Sequence, residues 1–288
     1  MDGSTPSLDD LRLALSLFRD PILCAVVAGA VLGYLSVLVI LRRMVFVTAA
    51  LTQSAGLGVA LAFWLGIHLG VALPPTAGAL GASLIAAVAL TVTGQRLHLS
   101  RETGLAAVWL FGGAGAVLVG SRITQEAHDV NAILFGSAVL VRPLDLWLVV
   151  GVGLVVLTGI VVARPALIFA GFDRDGARVQ GVSVRGLELG FLVGLTAMVS
   201  VCTRALGALP VFAFAVLPGA TALLAAPRLR LAFPLALVAG ASSGGLGYLL
   251  AFFLDTPVGA TQAALALALA LGAVPLRLVR GEAVGGDG

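Results

Sequence analysis

The sequence predicts an all-α fold: a polytopic transmembrane helical bundle of about nine spans. The chain is 60% hydrophobic and only 11% charged, with a mean hydropathy of +1.11, whereas a soluble domain has roughly a quarter of its residues charged. Apolar runs recur along the chain at close to the length of about 20 residues that a helix needs to cross a bilayer. The alternating segments of about ten residues that are typical of membrane barrels are absent from the sequence.

The apolar runs divide the chain into three parts. Residues 1–20 place leucines and a phenylalanine on one helical face, which predicts an amphipathic helix on the membrane surface. Residues 21–280 form the transmembrane domain, and residues 281–288 are predicted to be a disordered tail. The predicted spans are approximately 21–41, 52–73, 77–95, 103–120, 144–163, 187–203, 205–226, 231–254 and 258–276.

Glycines and prolines within these spans predict how the helices pack. Pairs of glycines four residues apart allow two helix backbones to approach closely. The pairs are Gly29/Gly33, Gly66/Gly70, Gly190/Gly194 and Gly240/Gly244. Prolines inside apolar runs predict kinked or broken helices, which either line a transport pathway or are simple packing kinks. These prolines are Pro210, Pro218 and Pro234.

The basic residues predict the orientation of the bundle, and all 17 of them are arginine. With the N-terminus outside, twelve arginines fall on the cytoplasmic side and five outside, which satisfies the positive-inside rule. A chain without lysine cannot carry the phosphate-binding lysine of a P-loop or form a Schiff base. If ATP drives transport, the ATPase is therefore a separate polypeptide.

The acidic residues all lie in loops or at span ends. Gradient-coupled carriers commonly hold ionisable groups in the middle of the membrane. Their absence from the span centres argues against such a carrier and against a membrane hydrolase, and no catalytic residue is predicted.

The polar segment 164–186 lies on the predicted cytoplasmic side. It is interpreted as a loop with a short helix near 173–180, closed by Gly181. Alternating charges give this segment a small polar surface suited to another protein, although an ordinary solvated loop has the same pattern. The charged residues are Asp173, Arg174, Asp175 and Arg178.

The segment FDRDGARVQGVSVR, at 172–185, resembles the F-D-P-E-x-A-x-x-x-G-V segment of zinc/manganese-type metal ABC transporter permeases. Five more segments resemble segments of that family in the same order, over nearly the whole chain. They lie at 37–63, 98–111, 132–146, 206–225 and 254–268. The resemblance implies a type II ABC-importer-like permease, in which the segment 164–186 couples to the ATPase. The coupling residues that it implies are Asp173, Arg174, Asp175, Ala177, Arg178 and Gly181.

The resemblance also implies a translocation pathway, at which this chain departs from the family. The Asp and His of the family's G-D-A-L-S-H-A stretch correspond to Ala49 and Gln53, and its Ser corresponds to Thr52. An amide oxygen is a weaker ligand than imidazole for a borderline ion such as zinc. Glu102 and Pro218, in two other matched segments, complete the predicted pathway.

Glu126, His128 and Asp129 form a second candidate site, in a predicted external loop. Their side chains suit a divalent ion, and they could receive an ion from a binding protein. A solvated loop is the alternative interpretation.

The function implied is the permease subunit of an ATP-driven importer for zinc, manganese or iron in the bacterial cytoplasmic membrane. The implied partners are ABC ATPase subunits that bind ATP-Mg, a second permease subunit, an extracytoplasmic metal-binding protein and the lipid bilayer. No cofactor in this chain and no nucleic acid partner is expected. The alternatives are a gradient-driven secondary transporter and a non-transporting membrane subunit that binds an ATPase.

Overall fold

The computed structural model describes residues 18–96, 100–123 and 141–285. Within these ranges the chain forms eleven helices and no strand. In chain order, the helices are α1 (Arg19–Leu41), α2 (Val45–Leu69), α3 (Pro75–Arg96), α4 (Arg101–Gly120), α5 (Pro143–Phe172), α6 (Arg174–Val179), α7 (Val184–Leu206), α8 (Ala208–Phe214), α9 (Leu217–Ala225), α10 (Leu229–Leu254) and α11 (Val258–Gly285).

The all-helical membrane fold is confirmed. Eight stretches of the described residues are long and apolar enough to cross a membrane, and the pair α8–α9 makes one of them. The remaining predicted span, 77–95, corresponds to α3, whose apolar part is the shorter stretch Pro75–Leu90. The described part of the chain is thus a multi-pass membrane bundle.

Three predicted boundaries differ from the structure. Helix α2 begins at Val45 and not near 52, because the apolar residues after Met44 continue as helix through Thr48 and Thr52. Helix α5 continues through Pro165 to Phe172, so the loop predicted from 164 is helical up to that residue. Membrane helices tolerate an internal proline because neighbouring groups satisfy the freed carbonyl. Helix α11 ends at Gly285, past the predicted start of the tail.

Helix α1 forms the centre of the bundle and packs most closely against α10. A Cβ atom at Gly29 would lie 2.8 Å from the carbonyl carbon of Gly240. A Cβ atom at Gly244 would lie 2.7 Å from the carbonyl carbon of Ala25, and one at Gly33 would lie 3.2 Å from that of Ala236. The predicted close packing is therefore confirmed for these two glycine pairs.

The other two glycine pairs are not buried against a second backbone. Gly70 ends α2 in the left-handed conformation, and Gly190 has open space where a side chain would stand.

Cys24 and Cys202 are unpaired and buried in the main apolar core, which agrees with a packing role.

The helix is broken next to one of the three prolines. The span 205–226 is broken into α8 and α9, and Pro218 stands in the first turn of α9, where a proline needs no hydrogen-bond acceptor. Pro210 lies inside α8 near its start, and α10 continues through Pro234.

Candidate functional site

The three pathway candidates on α2 lie on one side of that helix. Thr52 donates a hydrogen bond from its Oγ1 to the carbonyl of Ala49 at 2.9 Å, and both residues are buried. Gln53 is half-buried against α4, where a Cβ atom at Gly113 would lie 3.4 Å from the Gln53 Oε1. This side of α2 therefore offers neutral oxygens and no carboxylate or imidazole.

The structure does not bring Glu102 and Pro218 to the same place. Glu102 is exposed in the first turn of α4, and it precedes Gly112 by ten residues, or about 15 Å along the helix axis. Gly112 and Gly113 are the residues of α4 that lie next to Gln53. Pro218 is buried at the start of α9, where the neighbouring Gly219 packs on Ser36 of α1. The five predicted pathway residues thus occupy three separate places in one subunit.

The described residues contain no group of three His, Cys, Asp or Glu side chains that could hold a metal ion. The other predicted ligand site, Glu126, His128 and Asp129, lies outside the described residues. Binding of a divalent ion by these three residues stays a prediction.

The predicted short helix of the coupling segment is present as α6. Asp173 caps it by accepting a hydrogen bond from the backbone N–H of Gly176 on its Oδ1, at 2.8 Å. The helix ends at Val179, and Gly181 follows it with a φ of +78°, a left-handed backbone conformation that favours glycine. The Val182 N–H returns to the carbonyl of Ala177 at 2.9 Å and closes the last turn.

Helix α6 has a buried side and an exposed side. Ala177 is fully buried and packs with Ala170 of α5 and Val184 of α7, so it fixes the helix to the bundle. Asp175 and Arg178 form an exposed ion pair at 3.1 Å, and Val179 is 88% exposed. The exposed side is the surface that a partner protein could contact.

Arg174 points back to the bundle and pairs with Glu188 of α7. It therefore attaches α6 to the helix that follows it, in addition to the covalent connection. The sequence placed Arg174 with the other charges on the partner-facing surface, and its role in docking remains a prediction.

Arg42 forms a contact that the sequence does not predict, because in the sequence only its charge is informative, through the orientation of the bundle. Its Nη2 donates to the carbonyl oxygen of Leu167 at 2.9 Å, and its guanidinium lies 5.5 Å from the ring centre of Phe191. Burial lowers the pKa of the Arg42 guanidinium from its ordinary value, the Glu188 carboxylate raises this pKa, and the Arg174 charge lowers it.

A buried ion pair joins α5 to α7 at their opposite end. The side chains of Asp145 and Arg204 are 7% and 9% exposed, and a distance of 3.7 Å separates Asp145 Oδ2 from an Arg204 nitrogen. The same carboxylate oxygen accepts the backbone N–H of Arg142 at 3.1 Å. Arg204 also lies 6.0 Å from the Phe63 ring centre of α2. The position of Asp145, three residues after Arg142, is a capping pattern that can be recognised in the sequence. Its pairing with Arg204 cannot be recognised there, because the two residues lie on different helices.

The described residues form a multi-pass helical bundle with a capped surface helix between two spans. The model of the ABC 3 transport family matches residues 15–277, and the chain belongs to that family.

Curated relatives align over most of both chains. The manganese import system permease protein ScaB of Streptococcus gordonii is 27% identical over 84% of this chain and 85% of its own length. The chelated iron transport system membrane protein YfeC of Yersinia pestis is 28% identical over 81% of this chain and 77% of its own length.

A solved structure has the same fold. A chain of PsaBC from Streptococcus pneumoniae, solved in complex with Fab, has a TM-score of 0.83 and 24% sequence identity. The match covers 94% of this chain and 98% of that chain. The described bundle therefore has the fold of that chain.

Proposed function

We propose that this chain is the membrane subunit of an ATP-driven importer for a divalent metal ion, with manganese as its first candidate substrate. The observation that carries the proposal is the end-to-end similarity to manganese import permeases, the ScaB protein among them. The likeness to a chelated-iron system membrane protein makes iron the second candidate. Zinc is the third.

The surface helix α6 supports coupling to a separate ATPase. It is fixed to the bundle by Ala177 and Arg174, while Asp175, Arg178 and Val179 point outward. Because α6 is attached to the bundle on one side, a force applied to its exposed side can be transmitted to α5 and α7. The ATP-Mg would be bound by that partner, because this chain contains no lysine for a P-loop.

The neutral pathway candidates support passage and not retention of the ion. Conduction requires binding that is loose enough to release the ion. Thr52 and Gln53 offer only neutral oxygens, and the Ala49 side chain offers no ligand. A second permease subunit would complete the pathway, and an extracytoplasmic binding protein would load it. The location proposed is the bacterial cytoplasmic membrane.

The test measures metal uptake into proteoliposomes that contain the complex of this permease with its ATPase. The metal is supplied bound to the binding protein. We expect ATP-dependent accumulation of manganese that exceeds that of zinc, and loss of uptake when the P-loop lysine of the ATPase is replaced. Uptake that persists with this inactive ATPase and collapses with an ionophore would favour a gradient-driven carrier. ATPase binding without uptake of any of the three metals would favour a non-transporting subunit.

A further inference from the structure

Two helices flank the coupling helix α6, and Arg42 holds both of them from the end of α1. Through its Nη2 it contacts the Leu167 carbonyl of α5, five residues before that helix ends at Phe172. Through its guanidinium face it contacts Phe191 of α7. Leu167 and Phe191 are each 1% exposed, so both contacts lie in the packed interior.

The ion pair between Arg174 of α6 and Glu188 of α7 lies close to the contact between Arg42 and α7. Glu188, which pairs with Arg174, precedes Phe191 by three residues, and residues at this spacing share one helical face. The Arg174 and Arg42 guanidinium groups therefore engage adjacent positions on one surface of α7. A displacement of α6 changes the position of the turn on which Arg42 rests.

A second arginine joins α5 to α1 in the reverse direction. Arg164 of α5 donates to the Tyr34 hydroxyl of α1 at 3.4 Å, and it lies 5.3 Å from the ring centre of Phe233 on α10. Arg42 thus reaches from α1 to α5, and Arg164 reaches from α5 to α1. The two contacts restrict sliding of these helices against each other.

The turn after Arg42 leads directly into the candidate pathway helix. Arg43 has a left-handed φ of +54°, and the Met44 N–H donates to the Val39 carbonyl at 2.8 Å. Helix α2 then starts at Val45 and carries Ala49, Thr52 and Gln53. A short hydrogen-bonded turn has little slack, so a movement of Arg42 displaces the start of α2.

We infer that Arg42 is a positioning residue that transmits movement of the coupling helix, through α5 and α7, to the pathway face of α2. The inference deepens the proposed function and rests on it. Without the Arg42 contacts, α6 remains attached to its ATPase but its movement no longer reaches the pathway.

The test compares Arg42→Gln with Arg43→Gln in the complete complex with ATPase and binding protein. Both variants remove one cytoplasmic arginine, but Arg43 is exposed and serves as the matched control. We expect Arg42→Gln to lower the manganese ions taken up per ATP by about tenfold, a typical coupling effect, while ATP hydrolysis continues. Arg43→Gln should keep the natural ratio. A natural ratio in Arg42→Gln would overturn the inference.

A distance measurement separates this inference from the proposed function. Spin labels are placed at Val179→Cys in α6 and Phe46→Cys in α2, both exposed, while the native cysteines are buried. In the absence of manganese, the labelled chain that keeps Arg42 should show one narrow distance between the two labels, in both the nucleotide-free and the ATP-bound complex. Arg42→Gln should broaden the distance in the ATP-bound complex, and an unchanged distribution would count against the inference.

The two readouts give distinguishable failures. If the natural complex moves no metal, the proposed function fails, and the spin-label distance alone decides whether Arg42 links α6 to α2. If Arg42→Gln cannot be purified in a folded form, Phe191→Leu replaces it, because leucine keeps the site apolar and removes the ring. A smaller loss of ions per ATP is expected there, because the hydrogen bond from Arg42 to Leu167 remains. Natural coupling in that variant would overturn the part of the inference that runs through α7.

Discussion

The carboxylate of Asp145 lies 3.7 Å from the guanidinium of Arg204 and joins the first turn of α5 to the last turn of α7. Because both side chains are buried, removing one charge leaves the other without its ionic partner. Breaking such a pair costs about 3–5 kcal/mol. The pair lies at the end of α5 and α7 that is opposite to the coupling helix α6.

Replacing Arg204 by Gln should therefore destabilise the permease strongly. We expect a clear fall in the melting temperature of the detergent-solubilised protein, with Arg122→Gln, which removes an exposed arginine, as the control. The double change Asp145→Asn with Arg204→Gln should recover part of the loss, since no unpaired charge is left. Equal melting of Arg204→Gln and the natural chain would show that the pair contributes nothing.

The glycine contact between α1 and α10 gives a second stability prediction. In Gly240→Ala the new methyl group would lie 2.8 Å from the carbonyl carbon of Gly29, so the helices must move apart. Overpacking of this kind costs about 1–3 kcal/mol. The control is Gly272→Ala on α11, where the added group meets open space. Thermal unfolding should separate the two variants, and indistinguishable melting would contradict the tight crossing.

The backbone at Gly181 gives a prediction about coupling. A residue with a side chain is strained at φ +78° by about 1–2 kcal/mol, so Gly181→Val should shift the end of α6 without affecting membrane insertion. We expect lower ATP-driven uptake in proteoliposomes. Gly171→Ala is the control, because its added methyl group meets nothing within 4 Å. Natural uptake by Gly181→Val would remove the turn from the coupling mechanism.

The pathway candidates predict a gain of metal binding. Ala49→Asp with Gln53→His places a carboxylate and an imidazole four residues apart on α2, where side chains lie on one face. Titration calorimetry with manganese and zinc should detect binding in this variant and little in the natural chain. Ala49→Asn with Gln53→His has nearly the same shape without the carboxylate charge and should bind more weakly. No gain in the Asp variant would mean that these positions do not face a shared space.

The orientation predicts which loops a membrane-impermeant thiol reagent reaches. Val179→Cys, on α6, should be protected in intact cells and labelled after lysis. Thr256→Cys, in the exposed connection between α10 and α11, should be labelled in intact cells. The reverse pattern would overturn the arginine-based orientation and, with it, the cytoplasmic position of α6.

Much of the coupling segment could be predicted because its signals are local. An Asp followed three residues later by a free backbone N–H caps a helix, and a glycine can end one in a left-handed conformation. These interactions need no distant partner, and the structure contains both of them at Asp173 and Gly181. The continuation of α5 through Pro165 could not be predicted this way, because neighbouring helices decide whether a proline ends a membrane helix.

Local signals in the sequence suffice to predict the class of this protein, a helical membrane bundle with a short helix between two spans. Hydropathy, span length and capping act within one segment, so they do not depend on how segments meet. Which side chains act together depends on the packing of the helices in three dimensions. Arg42 and Leu167 are 125 positions apart, and Asp145 and Arg204 lie on different helices. Their pairing follows from the crossing of packed helices, which no single segment specifies.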